Sequence, residues 1–349
     1  MRESVEFRID ERFAHLLFAD NEGTKLVGVA RKITIASDDP RFSRIGELQE
    51  ELQEAKTGSF FYGWRFLRRY TPEELERAEL LELVVTTAFE PAGEECGTRY
   101  DESTACPKCG SGAKQASDLW LDLRKLPKGK DIASTIAGEW VVSQHLAELM
   151  IDAGLTGFDL RRVRHRAHYE DDALDLRRLA AGRELLEKAE DARCLYPEGK
   201  FHVWINRAEN TSLWEKAQAE HAALQERVTK QRRKVFPVWY QLVTTNAAAE
   251  ITSPTRVGNT PFDDDSKGEY RCPLGDLIGL NLLSEVSISA ATRGENDIIC
   301  TRQYIGMPHT GIRRGLLRPR QVTLISPKFW RLLSEARIKG INIEVAHLV

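Results

Sequence analysis

Residues 141–165 read VVSQHLAELMIDAGLTGFDLRRVRH, and residues 324–347 read LISPKFWRLLSEARIKGINIEVAH. Ser143 to Gly157 and Ser326 to Gly340 span the same 14 positions. Leu146, Leu149 and Met150 stand opposite Phe329, Leu332 and Leu333, and Leu155, Phe158 and Leu160 stand opposite Ile338, Ile341 and Ile343. One deletion restores Val163 against Val345 and His165 against His347. Each copy predicts a strand, a serine N-cap, an amphipathic helix, a glycine turn and a returning strand. Pro327 after Ser326 suits the first position of a helix. The fold class is therefore read as α+β, built on two related strand-helix-strand units.

Around these units the chain divides into three parts. An N-terminal α+β domain, 1–167, carries a cysteine-bearing loop at 93–112. A helical segment follows at 168–235, from the spacing in DDALDLRRLAAGRELLEKAEDA and NTSLWEKAQAEHAALQERVTKQRRK, with a short strand FHVWI between. A C-terminal α+β domain covers 236–349. In the N-terminal part LVGVARKITIA reads as a strand, IGELQEELQEA as a helix, and Thr71-Pro72-Glu73-Glu74 as a helix start. Tyr62, Trp64 and Phe66 alternate as on one face of a strand, which makes them candidates for a sheet core.

The length of 349 residues suits two or three domains. A net charge of −3 gives no general attraction to nucleic acid. No apolar run approaches a membrane span, and the charged start MRESVEFRIDERF lacks the apolar stretch of a signal peptide, so the expected compartment is the cytoplasm. Six cysteines are too few for a disulfide scaffold.

Three of the six cysteines lie in CGTRYDESTACPKCG, residues 96–110. Cys106-Pro107-Lys108-Cys109-Gly110 is an intact knuckle of the kind that holds zinc, while Cys96-Gly97 is half of another; its missing cysteine would fall at Gly93. LLELVVTTAFE before the loop and SDLWLDLRKL after it read as strands, the pattern of a zinc ribbon. One structural zinc is expected on Cys96, Cys106 and Cys109, with a fourth ligand from elsewhere. Cys272 in EYRCPLG is the first choice, because a soft thiolate suits a site of thiolates; Glu94, Glu95, Asp101 and the histidines are the alternatives. Buried free thiols are the competing reading. GSGAKQAS after Cys109 reads as turn, whereas a redox CxxC opens a helix. Cys194 and Cys300 read as core residues.

The cysteine segment and the Ser143-x-x-Leu146 element together resemble the double-CXXCG-motif proteins of myxobacteria, a paralogous group associated with immunity against toxic effectors. The resemblance covers about the first 165 residues and, through the repeat, the end of the chain. It implies Cys96-Gly97 and Cys106 to Gly110 as the two knuckles, and a toxin or effector as partner. Gly93 departs from that pattern.

These readings converge on a non-enzymatic protein that binds another protein and carries a structural zinc. Two alternatives stand beside it. A zinc-ribbon nucleic-acid binder would use the basic runs RVTKQRRKVFPVWY and HTGIRRGLLRPRQ, through Arg232, Arg233, Lys234, Arg313 and Arg314. A hydrolase would need a carboxylate and a histidine brought together in a pocket, since no nucleophile motif is present in the sequence. His165 and His168 lie in a charged segment and read as surface.

Overall fold

A computed structural model describes residues 1–26, 28–166, 180, 182, 218–226, 236–263, 265, 268–278, 281–306 and 319–349. The expected helical segment at 168–235 lies outside these residues, apart from helical positions at 180, 182 and 218–226. FHVWI, Cys194, His168, Arg232, Arg233, Lys234, Arg313 and Arg314 lie outside them too. The chain mixes α and β structure, and among the described residues no helix is long and apolar enough to cross a membrane.

The N-terminal sheet contains β1 (Arg2–Asp10), β2 (Thr24–Lys25), β3 (Ala30–Ala36) and β4 (Phe61–Arg69), in the order β2-β3-β1-β4. Alternation in β1 points Val5, Phe7 and Ile9 at one face, where Ile33 and Ile35 join them. Helix α1 (Arg41–Glu54) covers that face with Ile45 and Leu48. Tyr62 does not join this core. The register of β1 against β4 shifts between Arg8–Gly63 and Ile9–Phe61, so Tyr62 is the extra residue of a bulge. Tyr62 is 55% exposed and its hydroxyl meets the Asp10 carboxylate, whereas Trp64 and Phe66 pack partly against the core. Helix α2 (Pro72–Arg77) starts in a capping box between Thr71 and Glu74.

Among the other described residues, beside three two-stranded pairs, the main elements are two five-stranded sheets. The first contains β6 (Ala88–Phe89), β10 (Ile132–Thr135), β11 (Trp140–Ser143), β12 (Phe158–Arg162) and β14 (Trp239–Thr244), in the order β12-β14-β11-β10-β6. The second contains β5 (Leu80–Val85), β17 (Val286–Ile288), β18 (Ile298–Ile305), β19 (Arg320–Ile325) and β20 (Ile341–Leu348), in the order β17-β20-β5-β19-β18. Strand β11 runs into α3 (Gln144–Asp152) and β19 into α4 (Pro327–Glu335), each nine residues long.

The two segments match bond for bond. The Ser143 hydroxyl accepts from the Leu146 amide at 3.2 Å and donates to Asp131 Oδ1 at 2.7 Å. The Ser326 hydroxyl accepts from the Phe329 amide at 3.2 Å and donates to Asp297 Oδ1 at 2.7 Å. Each serine amide donates to the carbonyl of the same aspartate at 2.8 Å.

A strand-helix-strand unit leaves two parallel strands one strand-width apart, with backbone groups between them to be satisfied. In both units an antiparallel strand from elsewhere fills that space. Strand β14 pairs with β11 and β12, and β5 pairs with β19 and β20. The fillers are alike in sequence, Leu83-Val84-Val85-Thr86 and Leu242-Val243-Thr244-Thr245. Leu83 lies opposite Ile343 and Leu242 opposite Leu160. The sheets therefore cross the boundaries expected near 167 and 236, because β5 sits in the C-terminal sheet and β14 in the N-terminal unit's sheet.

Between the sheets α3 and α4 share one core, in which Leu146, Met150, Phe329 and Leu333 meet Leu81, Leu83, Ile132 and Ile298. The glycines after the helices make this approach possible. Gly157 has φ +93° and a Cβ there would stand 2.1 Å from the Ile298 carbonyl oxygen. Gly340 has φ +99° and a Cβ there would meet Thr87 Oγ1 at 2.6 Å and the Ile132 carbonyl oxygen at 3.2 Å. Each unit's glycine thus presses on the first residue of the other unit's hairpin.

Candidate metal centre

The expected ribbon is arranged differently in space. The strand before the cysteine loop, β5, belongs to the second sheet, while the one after it, β9 (Trp120–Leu121), pairs with β13 (Arg164–His165). The loop's own flanks are two-residue strands, β7 (Tyr100–Asp101) and β8 (Lys114–Gln115), paired antiparallel.

Within that hairpin the knuckle closes on itself. The Cys106 amide donates to the Ser111 carbonyl at 2.8 Å and the Gly110 amide donates to the Cys106 carbonyl at 2.8 Å. Gly110 turns the chain with φ +76°. A second loop repeats this closure far along the sequence. There the Cys272 amide donates to the Asp276 carbonyl at 2.9 Å, and the Gly275 amide donates to the Cys272 carbonyl at 2.9 Å. Leu277 anchors it to β18 by an amide bond to the Tyr304 carbonyl at 2.7 Å. The second loop is one residue tighter, CPLGD against CPKCGS, and the residue it lacks is the second cysteine.

The two loops bring Cys106, Cys109 and Cys272 together, with their sulfurs all within 4.8 Å of one another. All three are buried, at 4%, 1% and 5% exposure. Three sulfurs this close form a group that could hold a metal ion. Two oxygens join them. Ser111 Oγ lies 3.1 Å from Cys109 Sγ and donates to Asp276 Oδ2 at 2.5 Å. Asp276 Oδ2 lies 3.5 Å from Cys272 Sγ and 3.7 Å from Cys109 Sγ, while Oδ1 accepts from the Tyr304 amide at 3.0 Å.

Electrostatics prepare the set unevenly. For Cys106, burial opposes ionisation, but hydrogen bonds from the amides of Cys109 and Lys108 and from the Cys109 and Cys272 thiols together hold its thiol below the ordinary value. For Cys109, burial dominates and pushes the thiol up, against the Ser111 hydrogen bond. Cys106 is thus the readier of the two to give up its proton to a cation.

Cys96 is not part of the cluster, which corrects its assignment as a ligand. It ends a single 3-10 turn, Glu94–Cys96, where burial raises its thiol to about 11 beside Asp122. The position of the missing cysteine explains why. A side chain at Gly93 would meet Glu139 Oε1 at 2.6 Å and Leu119 Cδ1 at 2.6 Å. The Gly93 amide instead donates to Glu139 Oε1 at 3.2 Å, and the same carboxylate accepts from the Tyr100 hydroxyl at 2.7 Å. The half-knuckle at 93–97 is organised around a carboxylate.

The other expected ligands are engaged elsewhere. Glu95 accepts from the Ala92 amide at 2.8 Å, Asp101 from the Ser103 amide at 2.9 Å, and His165 Nδ1 from the Leu123 amide at 3.2 Å. Cys300 lies in β18, buried against Thr323. Asp276 and Ser111 are the residues that sequence reasoning missed. Their signal was slight: each follows the glycine of a knuckle, at Gly275 and Gly110.

Two carboxylate–histidine contacts among the described residues bear on the hydrolase reading: exposed His145 Nδ1 lies 3.2 Å from Asp131 Oδ1, the aspartate that pairs with the Ser143 cap, and the second lies at a cleft. His347 Nε2 lies 2.6 Å from Glu285 Oε2, and the Tyr70 hydroxyl donates to Glu285 Oε1 at 2.6 Å. The trio borders a surface cleft whose lining contains no serine, threonine or cysteine among the described residues. It links β20 to the residue before β17. Comparison with protein-family models, curated proteins and solved structures finds no match to the chain.

Proposed function

We propose that this chain is a non-enzymatic, protein-binding protein in which one structural zinc fastens two related units, and that its partner is a toxic effector, the role implied by the resemblance to double-CXXCG proteins. The observation that carries the reading is the meeting of one knuckle from each half of the chain at Cys106, Cys109 and Cys272. The matched serine caps, equal helices and reciprocal middle strands support an internal duplication. The loops between β6 and β10 and between β14 and β18 are then the same insertion in each copy. On this reading the loop at 93–112 is half of a zinc-ribbon-like element whose other half is 268–278. The resemblance's second knuckle is then Cys272 to Asp276, in place of Cys96-Gly97.

Three buried thiolates suit zinc, which tolerates mixed sulfur and oxygen donors and has no redox chemistry of its own. Beside the cysteines themselves only Ile278 packs among the described residues, while Leu277 and Tyr270 of the second loop reach a neighbouring core. A cation therefore contributes order chiefly to the first loop and ties it to the second, which Leu277 already fixes to a core.

Protein purified without chelator should carry one zinc per chain by elemental analysis. Cys272→Ser should lose most of it and Cys300→Ser should keep it. Metal-free wild-type protein refutes the zinc. For the partner, a protein that this chain holds in a stoichiometric complex should be toxic when expressed alone, and co-expression with this chain should restore growth. Undiminished toxicity, with both proteins expressed, refutes the immunity role.

A further inference from the structure

We infer that Asp276 is the fourth ligand of the cluster, so that the second knuckle replaces its missing cysteine with a carboxylate and the site is Cys3Asp. The inference rests on the reading of the cluster as a metal site. With Zn–S near 2.3 Å and Zn–O near 2.0–2.2 Å, a tetrahedral site has S···O edges of roughly 3.5 Å. Asp276 Oδ2 stands 3.5 Å from Cys272 Sγ and 3.7 Å from Cys109 Sγ, close to the spacing of two ligands on one ion; it falls outside the 4.8 Å group that the three sulfurs form, so Cys106 and the carboxylate have to draw together on the ion.

The carboxylate is also built into place. Asp276 is 6% exposed. Its Oδ1 is held by the Tyr304 amide from β18, which directs Oδ2 at the sulfurs, and Ser111 from the first knuckle donates to Oδ2. Ligand carboxylates are commonly supported by such outer hydrogen bonds. Without a cation, the buried carboxylate accepts from the Ser111 hydroxyl, the Tyr304 amide and, at longer range, the Cys272 and Cys109 thiols; ionised cysteines could not make those last two bonds. With a cation, its charge is met directly. The chain supplies the reason for the exchange: removing one residue from the knuckle deletes the cysteine and brings position 276 to the site, where Ser111 lies in the longer loop.

The donor set decides the metal class. Three thiolates select zinc over magnesium or calcium, and the single hard oxygen makes the site less selective for soft ions than four thiolates would be. Four protein ligands close the coordination sphere, which fits a structural role.

The test uses the full-length chain, freed of metal and titrated with Co(II), read by visible and near-ultraviolet absorption. Wild type should give the intense d–d bands of a tetrahedral site, with thiolate charge-transfer intensity for three sulfurs. Asp276→Cys should raise that charge-transfer intensity by about one third, as four thiolates replace three. Asp276→Asn should bind Co(II) at least about 10-fold more weakly. If wild type binds Co(II) and both variants match it in affinity and spectrum, the ligand assignment is overturned while the metal site stands. If wild type binds neither Co(II) nor zinc, the metal reading falls and this inference with it. Should Asp276→Asn fail to fold, the intensity of Asp276→Cys still decides the assignment.

Discussion

Glu82 offers a prediction with a sign and a size. It lies on β5 directly opposite Glu344 on β20, two like charges facing each other across an antiparallel pair. Glu344 is taken by Arg68 at 2.7 Å, whereas the Glu82 carboxyl has no hydrogen bond or ion pair among the described residues. It lines a cavity with Arg68, Arg320 and Glu344. Burial, and then the Glu344 charge, raise its carboxyl from 4.5 to about 7, with Arg320 and Arg68 opposing. A raised acid contributes stability that is full below pH 4.5, where folded and unfolded chains are both protonated. That contribution is lost as the pH climbs through about 7, because the unfolded chain ionises first. At about 1.4 kcal/mol per pH unit the loss is at most about 3 kcal/mol. The side chain is partly open to the cavity, and water there screens it, so the expected loss is about 1–2 kcal/mol. Glu82→Gln keeps the shape of the protonated acid and cannot ionise. In urea unfolding it should match wild type near pH 4.5 and exceed it by about 1–2 kcal/mol at pH 8. Comparing the two proteins cancels the other titrating groups. A stability difference that stays flat between pH 4.5 and 8, or favours wild type at pH 8, refutes the argument.

Four further substitutions have expected outcomes. Gly157→Ala should cost about 3 kcal/mol or more in urea unfolding, since it combines a positive φ with a backbone oxygen in the way. Gly340→Ala should cost less, because the nearest atom is the Thr87 side-chain hydroxyl, which can turn aside; equal costs would undo this reasoning. Ser326→Ala removes a helix cap and leaves Asp297 Oδ1 without its donor, so thermal or urea unfolding should show a loss of about 1–2 kcal/mol. Arg68, 6% exposed and bonded to Glu3, Glu344 and the Leu283 carbonyl, joins the N-terminal sheet to the second sheet. Arg68→Met should destabilise by about 2–3 kcal/mol, because it leaves two half-buried carboxylates without their partner, and a loss under about 1 kcal/mol would show that the pairs are solvated.

What the sequence determined by itself was local. Ser143 and Ser326 could be read as caps, and Gly157 and Gly340 as turns, because a cap bonds three residues ahead and a glycine turn needs only its own dihedral angles. The apolar spacing of α3 and α4 was legible for the same reason, since a helix bonds to itself. The strand between the two parallel strands of each unit was not legible. A strand finds its partner through backbone bonds that carry no side-chain address, so β5 and β14 could be assigned to the domains that contain them in sequence. Only the tertiary structure placed each in the sheet where it lies. The cysteines divide in the same way. Thiolate chemistry was enough to single out Cys272, at 163 residues from Cys109, as a companion for Cys106 and Cys109. Nearness in sequence suggested Cys96, but Glu139 occupies the space beside Gly93 and organises that turn around itself. Asp276 had no pattern to announce it. A carboxylate four residues after a cysteine becomes a neighbour of two sulfurs only when the tighter knuckle and the Tyr304 amide aim it there, and both are properties of the folded chain.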